Sequence, residues 1–375
     1  MNILVVSNIP PFVKGGAETQ ARFLAERFAE RGHYVVVLGN NVQSDKIGYR
    51  GKEIRTQNIP ALGWAKSLRA ISYVVSLSVY ILWHRRRFDV IYCRFVREAA
   101  LTISMLKSLI PLSIRLVSCT ACAGDMGDAA YVRRLPFSKC IISILNRHCD
   151  VINNISPATA EEFIVLGISR DRLRYIPNGI QVANSCIKKA QNPTRAFVYL
   201  GRLTRQKGLL YLLKAFNRVK RAGYRCSLHI IGDGPDRNFL EDVVRELELV
   251  DYVTFHGHID NDQIAGALGR YDIMVMPSLY EGFCTAVIEA MNVGLPVIVT
   301  RSGGPEYFVD DVIGRVCDSG SVNKLAESMI ELLMKDDEEL LGMGRAAHER
   351  VRKKFDIERV ADEYIELFRL LLNRG

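Results

Sequence analysis

Two acids stand eight residues apart in the stretch MPSLYEGFCTAVIEAM, Glu281 and Glu289. Between them Gly282, Phe283, Cys284 and Thr285 occupy the start of a helical pattern, where free backbone N–H groups and the helix dipole favour phosphate oxygens. Glu289, further along, can accept hydrogen bonds from two vicinal hydroxyls, and Glu281, ahead of the helix, can meet whatever is attached beyond a diphosphate. Acids at this spacing are common on solvated helices, so the pair alone has little specificity. The segment GRLTRQKG, Gly201 to Gly208, supplies opposite charge. Arg202 and Lys207 share one strand-to-helix loop and can both reach an anion. Alone the octapeptide reads as an exposed turn with incidental cations, but its place after the first strand of a domain favours the anion-binding reading.

Glycines recur at equivalent places. Gly232 opens GDGP directly after an apolar run, and Gly257 closes the run YVTFHG. Each marks a turn at the carboxyl end of a strand, where ligands of open α/β sheets bind. Near the N-terminus, PPFVKGGAE carries Gly15 and Gly16 into a helix, a form suited to close phosphate approach. Lys14 there reads as a loop charge. The strict G-x-G-x-x-G fingerprint is absent, which argues against an NAD enzyme.

The elements that must position these residues follow from the pattern. Apolar runs at 3–7, 34–39, 89–93, 114–119 and 150–156 alternate with helical patterns near 17–31, 99–109 and 135–146. A second series begins at 196–201 and continues through 227–232, 252–257, 273–276 and 296–299, with helices between. The chain is therefore expected to be α/β, two tandem Rossmann-like domains facing a cleft. At 375 residues it exceeds one hydrophobic core. The polar stretch 183–194 is the expected linker, which sets domains at 1–183 and 184–355. A C-terminal helix, 356–375, is long enough to cross back onto the first.

Composition describes an ordinary globular protein, 49% hydrophobic and 24% charged, and excludes disordered or collagen-like classes. The N-terminus MNILVVSNIPP lacks a basic region and a cleavage site and reads as a first strand, so the expected location is the cytoplasm. Nine cysteines at irregular spacings fit a reducing compartment, and Cys119-x-x-Cys122 has no partner pair for a zinc site. Charge is uneven: residues 1–180 hold 24 Lys and Arg against 13 Asp and Glu, and the remainder 26 against 28. The positive half should face something anionic. No nucleic-acid-binding motif accompanies it. Between Trp64 and Phe88, an apolar centre from Ile71 to Trp83 ends in Arg85, Arg86 and Arg87. It is too short to span a bilayer, and reads either as a helix lying on an anionic membrane surface or as a core helix with a solvated basic end.

In order along the chain, PPFVKGGAE, IPNGI, GRLTRQKG, IIGDGP, MPSLYEGFCTAVIEAM and SGGPEYF resemble the retaining glycosyltransferases of family 4, which have the two-domain GT-B fold. The resemblance covers nearly the whole chain. It implies that Arg202 and Lys207 hold the diphosphate of a nucleotide-sugar donor, that Glu289 binds the ribose, and that Glu281 contacts the donor sugar. It also implies that Phe283, Cys284 and Thr285 supply backbone amides and that Gly16 closes on the phosphates. Glu306 matches a glutamate of the family's Gly-rich segment. Many members carry a histidine in the loop after the strand corresponding to IRLVSC. Here that loop reads TACAGDMGD, leaving Asp125 or a backbone group in its place. The implied activity is transfer of a sugar to a glycan or lipid-linked acceptor, with no metal because the cations do its work. Two other readings stay open on the sequence: a nucleotide-sugar epimerase of the same fold, and a non-catalytic nucleotide-sugar binding protein.

Overall fold

The structure is a computed structural model describing residues 1–13, 15–49, 52–124, 127–183 and 194–373. The chain divides into two compact units, Met1–Gly179 with Ile357–Gly375, and Ile180–Asp356. Residues 184–193, most of the expected linker, lie outside the described residues, as does Asp125.

The first unit runs β1 (Asn2–Val6), α1 (Gly16–Glu30), β2 (Tyr34–Gly39), β3 (Asp45–Tyr49), β4 (Lys52–Asn58), α2 (Lys66–Trp83) and β5 (Val90–Arg94). It continues through α3 (Glu98–Leu109), β6 (Arg115–Cys119), α4 (Asp128–Arg134), α5 (Ser138–His148), β7 (Val151–Asn154), α6 (Pro157–Leu166) and β8 (Leu173–Tyr175). Its sheet has the order β3-β4-β2-β1-β5-β6-β7-β8. The apolar run ILVV makes β1 a central strand buried on both faces, paired in parallel with β2 through Ile3 and Val35 and with β5 through Ile3 and Val90. At the edge, β3 pairs antiparallel with β4, a hairpin that the alternation of parallel runs did not anticipate. KEIRTQN buries only Ile54 and Thr56, the period-two pattern of a half-covered strand. The helix expected near 135–146 is α5, which starts only at Ser138 because Pro136 holds Leu135 extended and Phe137 turns left-handed; α4 is a further helix before it that the pattern did not show.

The second unit runs β9 (Arg195–Leu200), α7 (Leu209–Arg221), β10 (Cys226–Ile231), α8 (Arg237–Glu246), β11 (Val253–Gly257) and α9 (Ile264–Leu268). Then come β12 (Ile273–Met276), α10 (Thr285–Asn292), β13 (Val297–Thr300), β14 (Gly314–Cys317), α11 (Val322–Leu333) and α12 (Asp337–Lys354). Strand order is β11-β10-β9-β12-β13-β14, all parallel, so the strand order reverses beside β9 and β12. Leu209, Leu212, Leu213, Phe216 and Val219 recur at helical spacing and bury one face of α7.

The last helix, α13 (Ile357–Asn373), belongs to the first unit. Arg27 Nε donates to Glu358 Oε1 at 2.6 Å, Asn153 Nδ2 donates to the Tyr364 hydroxyl at 2.8 Å, and Phe28 packs edge-on against Phe368. The TACAGDMGD loop follows β6, whose Cys119 is among the buried cysteines; Cys122 and Cys140 are exposed.

Candidate functional site

The candidate residues of the second unit cluster at the carboxyl ends of β9 and β12. After β9 the chain makes one 3-10 turn, Arg205–Lys207, and Gly208 then adopts φ 68 to enter α7. A Cβ on Gly208 would lie 2.1 Å from the Pro277 carbonyl oxygen, so a side chain here would push the two loops apart. The Leu279 N–H donates to the Gln206 carbonyl at 2.8 Å, and Gln206 Nε2 donates to the Tyr280 carbonyl at 2.9 Å. The cation-bearing loop is thus stapled to the loop that carries Glu281.

That staple brings Lys207 Nζ to 2.5 Å from Glu281 Oε1, an ion pair whose side chains are 22% and 8% exposed. Ser278 Oγ donates to the same oxygen at 2.8 Å, and Thr300 Oγ1 donates to the Ser278 carbonyl at 2.5 Å. The Glu281 N–H donates to the Ser302 carbonyl at 2.8 Å. Oε1 is therefore fully engaged, while Oε2 receives no hydrogen bond among the described residues and is the oxygen left for a hydroxyl. Arg202 behaves differently. It is exposed, and its guanidinium has no partner among the described residues; only its backbone carbonyl is held, by the Tyr199 hydroxyl at 3.1 Å. Burial pushes the Tyr199 phenol well up, keeping it a neutral donor.

Glu289 lies one turn into α10. Its carboxylate is partly buried with no hydrogen-bond partner among the described residues, and desolvation pushes its pKa up to about 7. An acid held this way gains from any ligand hydroxyl that donates to it. The helix begins at Thr285, and Cys284, as its N-cap, holds φ 69, an unusual conformation for a non-glycine residue. Gly282 and Phe283 consequently precede the helix, a correction to the expected start. The Phe283 ring is buried in a cluster with Phe308 and Phe355 at 5.3 and 5.6 Å, so only its backbone is available to a ligand.

The glycines around these loops serve close packing. A Cβ on Gly232, which holds φ 136, would meet the Gly201 carbonyl oxygen at 1.9 Å. Gly232 donates its N–H to the Gly257 carbonyl at 2.7 Å. Glu306 turns inward on its own loop, accepting from the Gly303 and Gly304 N–H groups at 2.7 and 2.9 Å. Its carboxylate is committed to the backbone. Ser278, Thr300 and Gln206, which hold Glu281 and Lys207 in place, escaped the sequence reading; Ser278 sits three residues before Glu281, but a serine at that spacing carries no signal alone.

Two family models match the chain: Glycosyltransferase Family 4 over residues 14–184 and Glycosyl transferases group 1 over 185–350. The glycogen synthase of Mycobacterium tuberculosis is 25% identical over 403 residues, covering 100% of this chain and 96% of that protein. The chain belongs to glycosyltransferase family 4. Among solved structures, sucrose-phosphate synthase from Thermosynechococcus elongatus superposes with TM-score 0.82 at 21% identity over 100% of both chains. Anabaena HepE, crystallised with UDP-glucose, superposes with TM-score 0.75 at 18% identity over 98% of this chain and 99% of that one. The glycosyltransferase thus has the GT-B fold, with a Rossmann-like domain in each unit.

In the first unit of the glycosyltransferase, Gly15 and Gly16 are exposed where α1 begins, and Gly15 is extended with φ −179. At the carboxyl ends of β1, β2 and β5 a cavity of about 400 Å³ is lined by Ser7, Asn8, Glu18, Arg94, Arg97 and Glu98, with Arg69 and Tyr73 from α2. Arg94 is buried, its Nη atoms donating to Asn178 Oδ1 at 2.9 Å and Cys119 Sγ at 3.1 Å. The loop after β6 is organised by Asp128, which the sequence reading missed: it accepts from the Ala121 N–H at 2.7 Å and from Arg97 Nε at 3.1 Å. Burial pushes its carboxyl pKa up. Among the described residues no group of three or more His, Cys, Asp or Glu side chains is placed to hold a metal ion, and no helix is long and apolar enough to cross a membrane.

Proposed function

We propose that this glycosyltransferase is a retaining hexosyltransferase that takes its sugar from a nucleoside diphosphate sugar and passes it to a glycan or lipid-linked saccharide, in the synthesis of a cell-surface polysaccharide or glycolipid. The observation that carries this reading is a committed cation, Lys207, in the same loop as two exposed cations, Arg202 and Arg205. Lys207 is held by Glu281 at 2.5 Å, while Arg202 is exposed and its guanidinium has no partner among the described residues. A dianionic diphosphate needs a cation that no internal acid has already neutralised, and Arg202 offers a planar, bidentate donor set. Lys207, beside it in the loop, adds a further positive charge.

The N–H groups at the start of α10 complete the cradle, and Glu289 accepts from the ribose hydroxyls. Glu281 Oε2 accepts from a hydroxyl of the donor sugar. In the transfer step the bond between the anomeric carbon and the phosphate oxygen breaks, and its electron pair stays on the diphosphate. The acceptor hydroxyl oxygen bonds to the same face of that carbon, and its proton passes to the departing phosphate oxygen. Fixed cations stabilise the charge that builds on the leaving group without having to reorganise, and they take the part a metal plays elsewhere. Support for the donor class comes from the Anabaena neighbour, which holds UDP-glucose. The first unit is assigned the acceptor and the second the donor.

The test is a panel of nucleotide sugars screened by thermal shift, followed by proton NMR of the product formed from the donor that binds. Retention of the donor's anomeric configuration, with turnover unchanged by EDTA, is the expected outcome. An inverted product, or a donor converted without any acceptor, contradicts the reading.

A further inference from the structure

Helix α2 is apolar on two opposite faces. On one, Leu77 and Ile81 are fully buried in the core of the first unit, with Tyr73 and Tyr80 packed beside them. On the other, Leu68, Ile71, Val75 and Val79 recur at spacings of three and four residues and form one continuous stripe. This second stripe is open: Ile71, Val75 and Val79 are 60%, 56% and 57% exposed. Trp64 and Trp83 bracket it, 93% and 84% exposed. Isolated apolar side chains on a surface need no explanation, but an uncovered helical face of this length does.

Charge selects the occupant. The sequence contains no Asp or Glu between Glu53 and Asp89, while the same stretch carries Arg55, Lys66, Arg69, Arg85, Arg86 and Arg87. The last three are exposed in the turn that ends α2. A second copy of this surface would set like charges against like, which disfavours self-association through it. An anionic bilayer satisfies both halves: the apolar stripe enters the acyl boundary, the tryptophans sit at headgroup level, and the arginines meet lipid phosphates. Eighteen helical residues extend about 27 Å, which suits a helix lying in the membrane plane.

We propose that the outer face of α2 docks the protein on an anionic membrane surface, with α2 lying in the plane of the interface. The inner side of the same helix contributes Arg69 and Tyr73 to the cavity of the first unit, so docking sets that cavity at the membrane surface. A lipid-linked acceptor would then reach it without leaving the bilayer; this last consequence rests on the acceptor proposed above, whereas the docking itself does not.

Flotation with lipid vesicles tests the proposal. The protein is expected to float with vesicles of phosphatidylcholine mixed with phosphatidylglycerol at low salt, to be released by high salt, and to stay behind with phosphatidylcholine alone. The double variant Val75→Asp, Val79→Asp is expected to bind at least tenfold more weakly, and Arg85→Gln, Arg86→Gln roughly 30-fold, at about a fivefold loss per arginine. Circular dichroism and the thermal midpoint should be unchanged in both, since all four side chains are exposed. Wild-type protein that ignores anionic vesicles, or a valine variant that binds them as well as wild type, overturns the proposal. So does a valine variant that changes only the oligomeric state by light scattering, since the stripe would then be covered by a second copy. Nucleoside diphosphate affinity measured in the same variants should not move, and its loss in wild type would fault the donor reading alone.

Discussion

In each unit the first strand of the sheet runs into a glycine-bearing loop and then a helix, but the two loops are built differently. In the second unit, Gly208 lies against the Pro277 carbonyl, Gln206 bonds to the neighbouring loop in both directions, and Lys207 is locked to Glu281. In the first, Gly15 is exposed and extended, and the nearest atom to its missing Cβ is the end of the Glu18 side chain. One loop is preorganised by packing, the other open. A preorganised loop presents charge to a ligand without a cost of ordering it at the moment of binding. An open loop leaves room for close approach, and no backbone atom crowds the place of a Cβ on Gly15.

The comparison can be broken at several points. The largest expected effect is on Lys207→Ala, which strands a buried Glu281 carboxylate and should lower stability by about 3 kcal/mol, read from urea unfolding. Adding Glu281→Gln should return much of that loss, because the stranded charge is then gone. Independent, additive losses would mean the pair contributes nothing to the loop. Next comes Gly208→Ala, whose Cβ meets backbone and whose φ of 68 disfavours any side chain; a loss of about 1–3 kcal/mol is expected.

Glu289→Gln works in the opposite direction. The carboxyl holds a proton up to about pH 7 in the folded protein and to about 4.5 in the unfolded chain. Between those values the folded state binds more protons, so this acid makes stability fall as pH rises, and the penalty is complete above 7. The glutamine variant should therefore be more stable by about 1–3 kcal/mol at pH 8 and equal to wild type at pH 4. It should also lose affinity for a nucleoside diphosphate at pH 8, since an amide accepts less strongly from the ribose. A stability gain with unchanged affinity would make Glu289 a buried acid with no ligand. Smallest of all, Gly15→Ala should cost under about 1 kcal/mol in folding, the flexible Glu18 side chain simply moving aside. A loss as large as that of Gly208→Ala would erase the contrast between the loops.

Much of the second unit was legible in the sequence. Its candidate residues fall in short contiguous motifs, each directly after an apolar run that could only be a buried parallel strand. Arg202, Lys207, Glu281 and Glu289 could be named because the strand, loop and helix periods place them. The supporting contacts were not legible: a serine three residues before Glu281 carries no signal alone, and the Gln206 staple depends on two loops meeting that are about 70 residues apart in sequence. In the first unit the antiparallel edge β3–β4 was missed because its strands are polar, and Asp128 because a buried acid in a loop looks like any other acid until its N–H partners are seen. For α2 the apolar pattern showed a helix, yet periodicity could not decide whether its second face was covered. Only the exposure of Ile71, Val75 and Val79 decides that.

Arg202, an exposed cation of the preorganised loop, is proposed to hold the donor diphosphate. Titration calorimetry of nucleoside diphosphates into wild type and Arg202→Ala tests it most directly. Arg202 is exposed and its guanidinium makes no hydrogen bond or ion pair among the described residues, so the variant's thermal midpoint without ligand should not move. Loss of a charge-assisted contact should weaken binding by about 1.5–3 kcal/mol, roughly 10- to 150-fold. Equal affinity in the two proteins would contradict the account, because the diphosphate would then be held elsewhere.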